Sequence, residues 1–195
     1  MGTDCTIAAE VYKEGKWQSP HLIEKSLIRG FSEGLIDDAI TYSDRNYVLF
    51  AVLAGIRNYH DIPSLNYIKL NTNECTLETQ YGLSKYNETP SYYSVTLQQL
   101  LEYDWQHKIK VEDIWVTPED LEKFKRTNYL NEYKTDSMVR FGRNEQQFHE
   151  FTEGKQLVTL ELPVAYFCFN FLSETLPNLL VLGKPEEVRL VFTFW

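Results

Sequence analysis

The sequence predicts an α+β fold, a single domain over residues 1–195 in which a mostly antiparallel sheet packs against a few helices. Three observations predict it. Extended apolar stretches stand near both ends of the chain, and capped helical patterns lie between them. The composition, 14% aromatic and 24% charged over 195 residues, is that of one globular domain and excludes a chain disordered along its whole length.

The opening reads Thr6-Ile7-Ala8-Ala9-Glu10-Val11-Tyr12, then the turn-prone Lys13-Glu14-Gly15-Lys16, then Trp17-Gln18, which predicts a hairpin. Residues 20–43, interrupted by Gly30 and Gly34, read as loop with short elements. Ser43-Asp44-Arg45-Asn46 then leads into Tyr47-Val48-Leu49-Phe50-Ala51-Val52-Leu53-Ala54 and Gly55. Ser or Asp caps a helix start, Tyr47, Phe50, Ala51 and Ala54 recur at helical spacing, and Gly55 takes the left-handed conformation of a helix end. A buried helix is predicted over 44–54.

Residues 59–91 hold Pro63, Asn66, Asn71, Asn73, Gly82, Asn87 and Pro90 and form the most loop-like stretch, where binding groups concentrate. At Ser94-Val95-Thr96-Leu97 a short strand hands over to a helix capped by Thr96. Thr117-Pro118-Glu119-Asp120 opens a third helix with cap, proline and acids in the first turn, and Lys125-Arg126 close it with bases. Residues 157–162 alternate as a strand, and Pro163 starts an apolar segment read as a buried helix to about residue 180, although Tyr166 to Phe171 is aromatic enough for a strand. Residues 188–195 are a β-branched and aromatic closing strand. The first hairpin and this strand share the sheet, the helices at 44–54 and 164–180 pack on it, and the middle loops sit over one end. No repeat of fixed period and no low-complexity tract occurs.

Nineteen basic against 28 acidic side chains give a net charge of −9, with 8 against 12 in residues 1–97 and 11 against 16 in residues 98–195. Neither half supplies the positive field that phosphate neutralisation needs, so duplex nucleic acid is excluded as the expected partner. An acidic surface suits a basic protein partner, and more ordinarily keeps a chain soluble. Cys5, Cys75 and Cys168 are odd in number and widely spaced, which speaks against a disulfide framework or structural zinc. With no signal-like start and no apolar run of membrane-spanning length, a soluble, cytoplasmic protein without a membrane partner is expected.

His21, His60, His107 and His149 fall in no metal-ligand spacing, and no G-x-S-x-G, P-loop or G-x-G-x-x-G motif occurs, so no cofactor is indicated. A nucleophilic Cys5 would need His21 or His60 as its base; a buried apolar Cys is the ordinary reading. Arg45 and Arg57 flank the first predicted helix, where a planar guanidinium fork suits carboxylate or phosphate, against the plainer roles of ion pair for Arg45 and helix-end contact for Arg57. Asn58, Tyr59 and His60 extend this polar cluster. Tyr92-Tyr93-Ser94 and Asp104-Trp105 join flat aromatic faces to polar tips, a combination that stacks on a nucleobase, although aromatics at this density also build cores.

The block Asp44-Arg45-Asn46-Tyr47-Val48-Leu49-Phe50-Ala51-Val52-Leu53-Ala54-Gly55-Ile56-Arg57-Asn58 resembles a family of small uncharacterised bacteriophage and prophage proteins. Those proteins begin Met-Gly-Cys-Asp-Ile-His and carry an Arg-Asn-Tyr-x-Leu-Phe-x-x-Leu-Ala-Gly-Val-Arg block. Met1-Gly2-Thr3-Asp4, Ser94-Val95-Thr96-Leu97 with Tyr103-Asp104-Trp105, and Glu187-Val188-Arg189-Leu190-Val191-Phe192 are similar to other parts of the family pattern. Two family histidines are replaced here, at Thr6 and in Ser91-Tyr92-Tyr93-Ser94, so no role for them carries over. The resemblance implies a phage accessory protein. The leading expectation is a protein that counters bacterial defence by sequestering a small anionic, nucleotide-like ligand through Arg45, Arg57, Asn58, Tyr92, Ser94 and Trp105. The alternatives are an acidic inhibitor that binds a host defence protein, and a nucleotide-directed hydrolase whose carboxylates, Asp4 and Asp104, meet in the fold; a homo-oligomer is open in each case.

Overall fold

A computed structural model describes residues 4–20, 40–84, 89–128, 130, 134–141 and 143–195. Most of the 20–43 stretch, with Gly30, Gly34 and His21, lies outside them, as does Asn87. The fold is α+β, with a six-stranded antiparallel sheet, a separate two-stranded one, and short helices. The chain forms two compact units: the first is Met1–Trp105 with Ala165–Trp195, the second Gln106–Val164.

In the first unit, β1 (Cys5–Lys13) turns through Glu14 and Gly15, both left-handed, into β2 (Lys16–Gln18), as a two-residue hairpin turn demands. Next come β3 (Ile40–Asp44), α1 (Tyr47–Ala54) and β4 (Ile68–Leu70), then a 3₁₀ turn at Thr72–Glu74 and α2 (Leu77–Ser84). The loop-like stretch 59–91 thus contains a strand and a helix. β5 (Tyr92–Thr96) runs directly into α3 (Leu97–Glu102), and the Thr96 side chain caps that helix in a capping box with Gln99.

The second unit is built on β6 (Lys108–Val116), followed by α4 (Pro118–Thr127), α5 (Asp136–Arg140), α6 (Glu145–Thr152) and β7 (Gln156–Pro163). Thr117 caps α4 and Asn128 ends it in the left-handed conformation. The β6 and β7 strands pair antiparallel, and Ile109, Val111, Ile114 and Val116 are buried. That burial changes phase between Val111 and Ile114, because Glu112 and Asp113 (φ 57°) form an irregularity that lets both halves of β6 face β7's unbroken Val158, Leu160 and Leu162.

The chain then returns to the first unit. The predicted helix after Pro163 is interrupted: α7 (Val164–Phe167), a π-helical stretch at Phe171–Thr175 and α8 (Leu176–Leu180), before the closing strand β8 (Val188–Phe194). Pro163 itself ends β7 rather than opening the helix.

The sheet order is β2-β1-β8-β5-β4, with β3 also on β1. Residues facing each other across β1 and β8 share a side, so Cys5, Ile7 and Ala9 lie with Phe194, Phe192 and Leu190 on one face, and Thr6, Ala8 and Glu10 with Thr193, Val191 and Arg189 on the other. Helix α1 covers the first face, where Phe50 meets Phe194 edge-on at 5.3 Å. Helix α2 covers the second, where Leu83 and Cys75 pack with Ala8, Val191, Leu70 and Tyr92. Both faces are therefore dry, which is why the middle strands are buried along runs of consecutive residues instead of at alternate positions.

The second face carries a buried ion pair. Arg189 donates from Nε and Nη2 to Glu10 Oε2 at 2.8 and 2.6 Å, and also to the Glu74 carbonyl. Glu10 Oε1 accepts the Thr76 amide at 2.8 Å, and the Trp17 ring lies 4.2 Å from the guanidinium carbon. Glu10 is 0% and Arg189 7% exposed, so every hydrogen-bonding partner here replaces lost water. Among the described residues, no helix is long and apolar enough to cross a membrane.

Candidate functional site

Helix α1 organises the candidate site. Its residues are apolar all round and buried from Leu49 to Ala54, so it is a core helix held by its ends. The cap is Asn46, later in the chain than the Ser43 and Asp44 pair: its Oδ1 accepts the Leu49 amide at 3.0 Å while Nδ2 donates to the Phe167 carbonyl at 2.8 Å. At the other end Gly55 adopts φ 66° and donates its amide to the Ala51 carbonyl.

Arg45 precedes the cap. Its Nε and Nη2 donate to Asp4 Oδ1 and Oδ2 at 2.7 and 2.8 Å, a bidentate fork. Asp4 in turn exchanges backbone hydrogen bonds with Trp195, at 2.8 and 3.1 Å, so this pair staples the start of α1 to the end of the β1–β8 ladder. The Arg45 guanidinium holds the Asp4 carboxyl below its usual range. Such a carboxylate does not carry a proton near neutrality, which argues against Asp4 as the acid of a hydrolase.

Past Gly55 the backbone enters the left-handed region twice more, at Arg57 (φ 54°) and Asp61 (φ 50°). Residues other than glycine hold such angles only where their surroundings impose them. Asn58 does so here. Its Oδ1 accepts the Ile62 amide and its Nδ2 donates to the Ile62 carbonyl, both at 2.8 Å, closing the loop, while the Leu65 amide reaches back to the Val52 carbonyl at 2.7 Å. On this clamped loop Arg57 Nη1 donates to Tyr59 Oη at 3.2 Å. Tyr59 is 67% exposed, and one edge of its ring meets Tyr47 at 6.5 Å. Tyr47 then meets Phe50, which ties the exposed ring to the core.

The remaining candidates are placed elsewhere. Tyr92 and Ser94 lie on the sheet face that α2 covers, 4% and 5% exposed, and burial pushes the Tyr92 phenol up. Helix α1 and its flanking arginines belong to the opposite face. Trp105 donates Nε1 to the Leu100 carbonyl at 2.8 Å and rests against Tyr103 and Phe171. The structure therefore joins Arg57 with Asn58, sets Arg45 beyond a helix about 12 Å long, and uses Tyr92 and Ser94 in the core.

The residues of β5 on the α1 side are Tyr93 and Val95; Tyr93 is half-buried between Tyr67 and Phe192. A period-two reading of β5 separates it from Tyr92 and Ser94, but which set faces α1 depends on register with β8. The Glu10–Arg189 pair left no sequence signal beyond two charges inside apolar strands. All three cysteines are buried, and burial raises each thiol, Cys75 and Cys168 to about 12 and Cys5 further, which disfavours the thiolate at neutral pH. Among the described residues no group of three or more His, Cys, Asp or Glu is placed to hold a metal ion. No known protein family, no curated protein and no solved structure matches the chain.

Proposed function

We propose that this is a phage accessory protein that acts in the bacterial cytoplasm, binding and sequestering a small anionic, nucleotide-like ligand without turning it over. The loop after α1 carries the recognition. Arg57 supplies a planar cation for a phosphoryl group and the exposed Tyr59 ring, edged by Tyr47, supplies a stacking face for a base. The observation that supports this best is the Asn58 clamp, which fixes two left-handed residues so that cation and ring stand side by side before any ligand arrives. Binding in place of turnover is supported by the buried thiols and by the pairing of Asp4 with Arg45.

Thermal shift against a panel of linear and cyclic nucleotides tests the reading. A ligand at 100 times its Kd stabilises the native state by about 2.7 kcal/mol, and that shift should vanish in Arg57→Gln and Tyr59→Ala. No shift with any nucleotide at millimolar concentration, or a shift that both variants retain, removes the proposal. A second reading, an acidic inhibitor of a host defence protein, is favoured by Leu77 and Tyr81, 77% and 60% exposed one turn apart on α2 beside exposed Glu78. A stoichiometric partner captured by the wild type and lost in Leu77→Asp would select it.

A further inference from the structure

Helix α2 is held on the sheet by little apolar surface. Of its eight residues only Thr79, Gly82 and Leu83 are buried, while Leu77 and Tyr81 are largely exposed. In the stretch before it, residues 71–76, only Cys75 is buried. Cys75 and Leu83 are thus the apolar side chains that residues 71–84 turn in against Ala8, Leu70, Tyr92 and Val191. Helix α1, of the same length, buries every residue from Leu49 to Ala54. The polar contacts of residues 71–84 are mostly internal: Asn71 with Glu74, Thr76 with Thr79, and Gln80 Nε2 with the Cys75 carbonyl at 2.9 Å. Among the described residues, the hydrogen bonds that leave this stretch both end on the buried ion pair. The Thr76 amide donates to Glu10 Oε1 at 2.8 Å, and the Glu74 carbonyl accepts from Arg189 Nη2.

Those two bonds use groups already engaged in the pair. The Glu10 carboxylate has two acceptor oxygens and no donor: Oε2 takes Arg189 Nε and Nη2, and Oε1 takes Thr76. Arg189 Nη2 serves Glu10 and the Glu74 carbonyl together. Attachment of residues 71–84 and satisfaction of the buried charges are therefore one network, shared by β1, β8 and residues 74–76. When that attachment is released, water can solvate both Glu10 and Arg189, so neither charge is stranded. Parting β1 from β8 is a different matter, because the two strands pair from Cys5 to Val11 and carry the packing of both sheet faces. An element with few buried apolar contacts and a single polar tie opens more readily than such a ladder.

We propose that residues 71–84 form a strap that opens as a unit while the sheet stays folded, with the Glu10–Arg189 pair as its catch. Cys75, buried at the root of α2, reports the motion. The rate of N-ethylmaleimide addition to Cys75, read by peptide mass spectrometry on the full chain across a urea series, tests it. In wild type that rate should be almost independent of urea below the unfolding midpoint, since opening the strap exposes little surface. Glu10→Gln should raise the rate without urea at least about tenfold, because an amide offers one acceptor oxygen in place of two and leaves the Thr76 amide or the guanidinium unmatched. Phe50→Ala, which loosens the opposite face, should lower the urea midpoint yet leave the Cys75 rate within about twofold of wild type. Leu83→Ala leaves the charges alone and should also speed Cys75, which keeps the test decisive if circular dichroism shows that Glu10→Gln does not fold. Three outcomes overturn the proposal: a Cys75 rate that climbs with urea in step with global unfolding from zero denaturant, a rise in Phe50→Ala matching its loss of global stability, or an unchanged rate in Leu83→Ala or in folded Glu10→Gln.

Discussion

The two units shelter their aromatic rings in different ways. In the first, Phe50, Phe171 and Phe192 are fully buried among apolar side chains, because a six-stranded sheet with helices on both faces has an interior. In the second, a two-stranded sheet has too little surface to enclose Phe148 and Phe151, and basic side chains lie over them instead. Charge is handled in reverse. The first unit buries the Glu10–Arg189 pair among hydrogen-bonding partners, whereas Lys134, Arg143 and Lys155 of the second are only half-buried.

This contrast can be broken or sharpened by substitution. Phe50→Ala should lower stability by about 3–5 kcal/mol, and Phe151→Ala by about half of that, since the latter ring is only half-buried and part of its cover is flexible lysine. Urea midpoints of equal size for the two would erase the distinction. Removing one partner of the buried pair, Glu10→Ala or Arg189→Ala, should cost about 3–5 kcal/mol, while Glu10→Leu/Arg189→Met should recover most of the loss, because the expensive state is a buried charge without its partner. A double variant no better than either single one would mean that the pair contributes strongly in its own right.

Smaller effects follow at the ends of α1. Asn46→Ala removes the cap and the tie to the Phe167 carbonyl, and should cost about 1–2 kcal/mol in the same urea titration. The smallest is pH-dependent. The Asp4 carboxyl is depressed below its usual 3.8 by Arg45, so the stability it contributes is complete above that value and is lost as pH falls through the lower, folded one. Wild type should therefore lose more stability than Asp4→Asn on acidification from pH 5 to pH 2; parallel curves would show that the exposed fork is energetically idle.

Local chemistry was the legible part of this molecule. The turn at Glu14 and Gly15, the caps at Thr96 and Thr117, the left-handed Gly55 and the closing strand at 188–194 each depend on a few adjacent residues whose backbone preferences act before any packing. The strand Lys108–Val116 was hidden because Glu112 and Asp113 shift its alternation midway, so neither a two-residue nor a helical period runs through it. The candidate site was read in part. Arg57 and Asn58 fall on one loop because they are neighbours in sequence, but Tyr92, Ser94 and Trp105 could be assigned to core or surface only by elements far along the chain.

By itself the sequence determined the α+β class, the helix around residues 47–54 and the hairpin that opens the sheet, since these follow from periodicity, capping and turn residues acting over a few bonds. Only the tertiary structure decided that Glu10 meets Arg189, that Arg45 is spent on Asp4 and Arg57 set beside Tyr59, and that three cations converge on Phe151. Those are contacts between side chains whose positions are set by strand register and helix packing. Register is a property of two strands at once, and no reading of either one alone contains it.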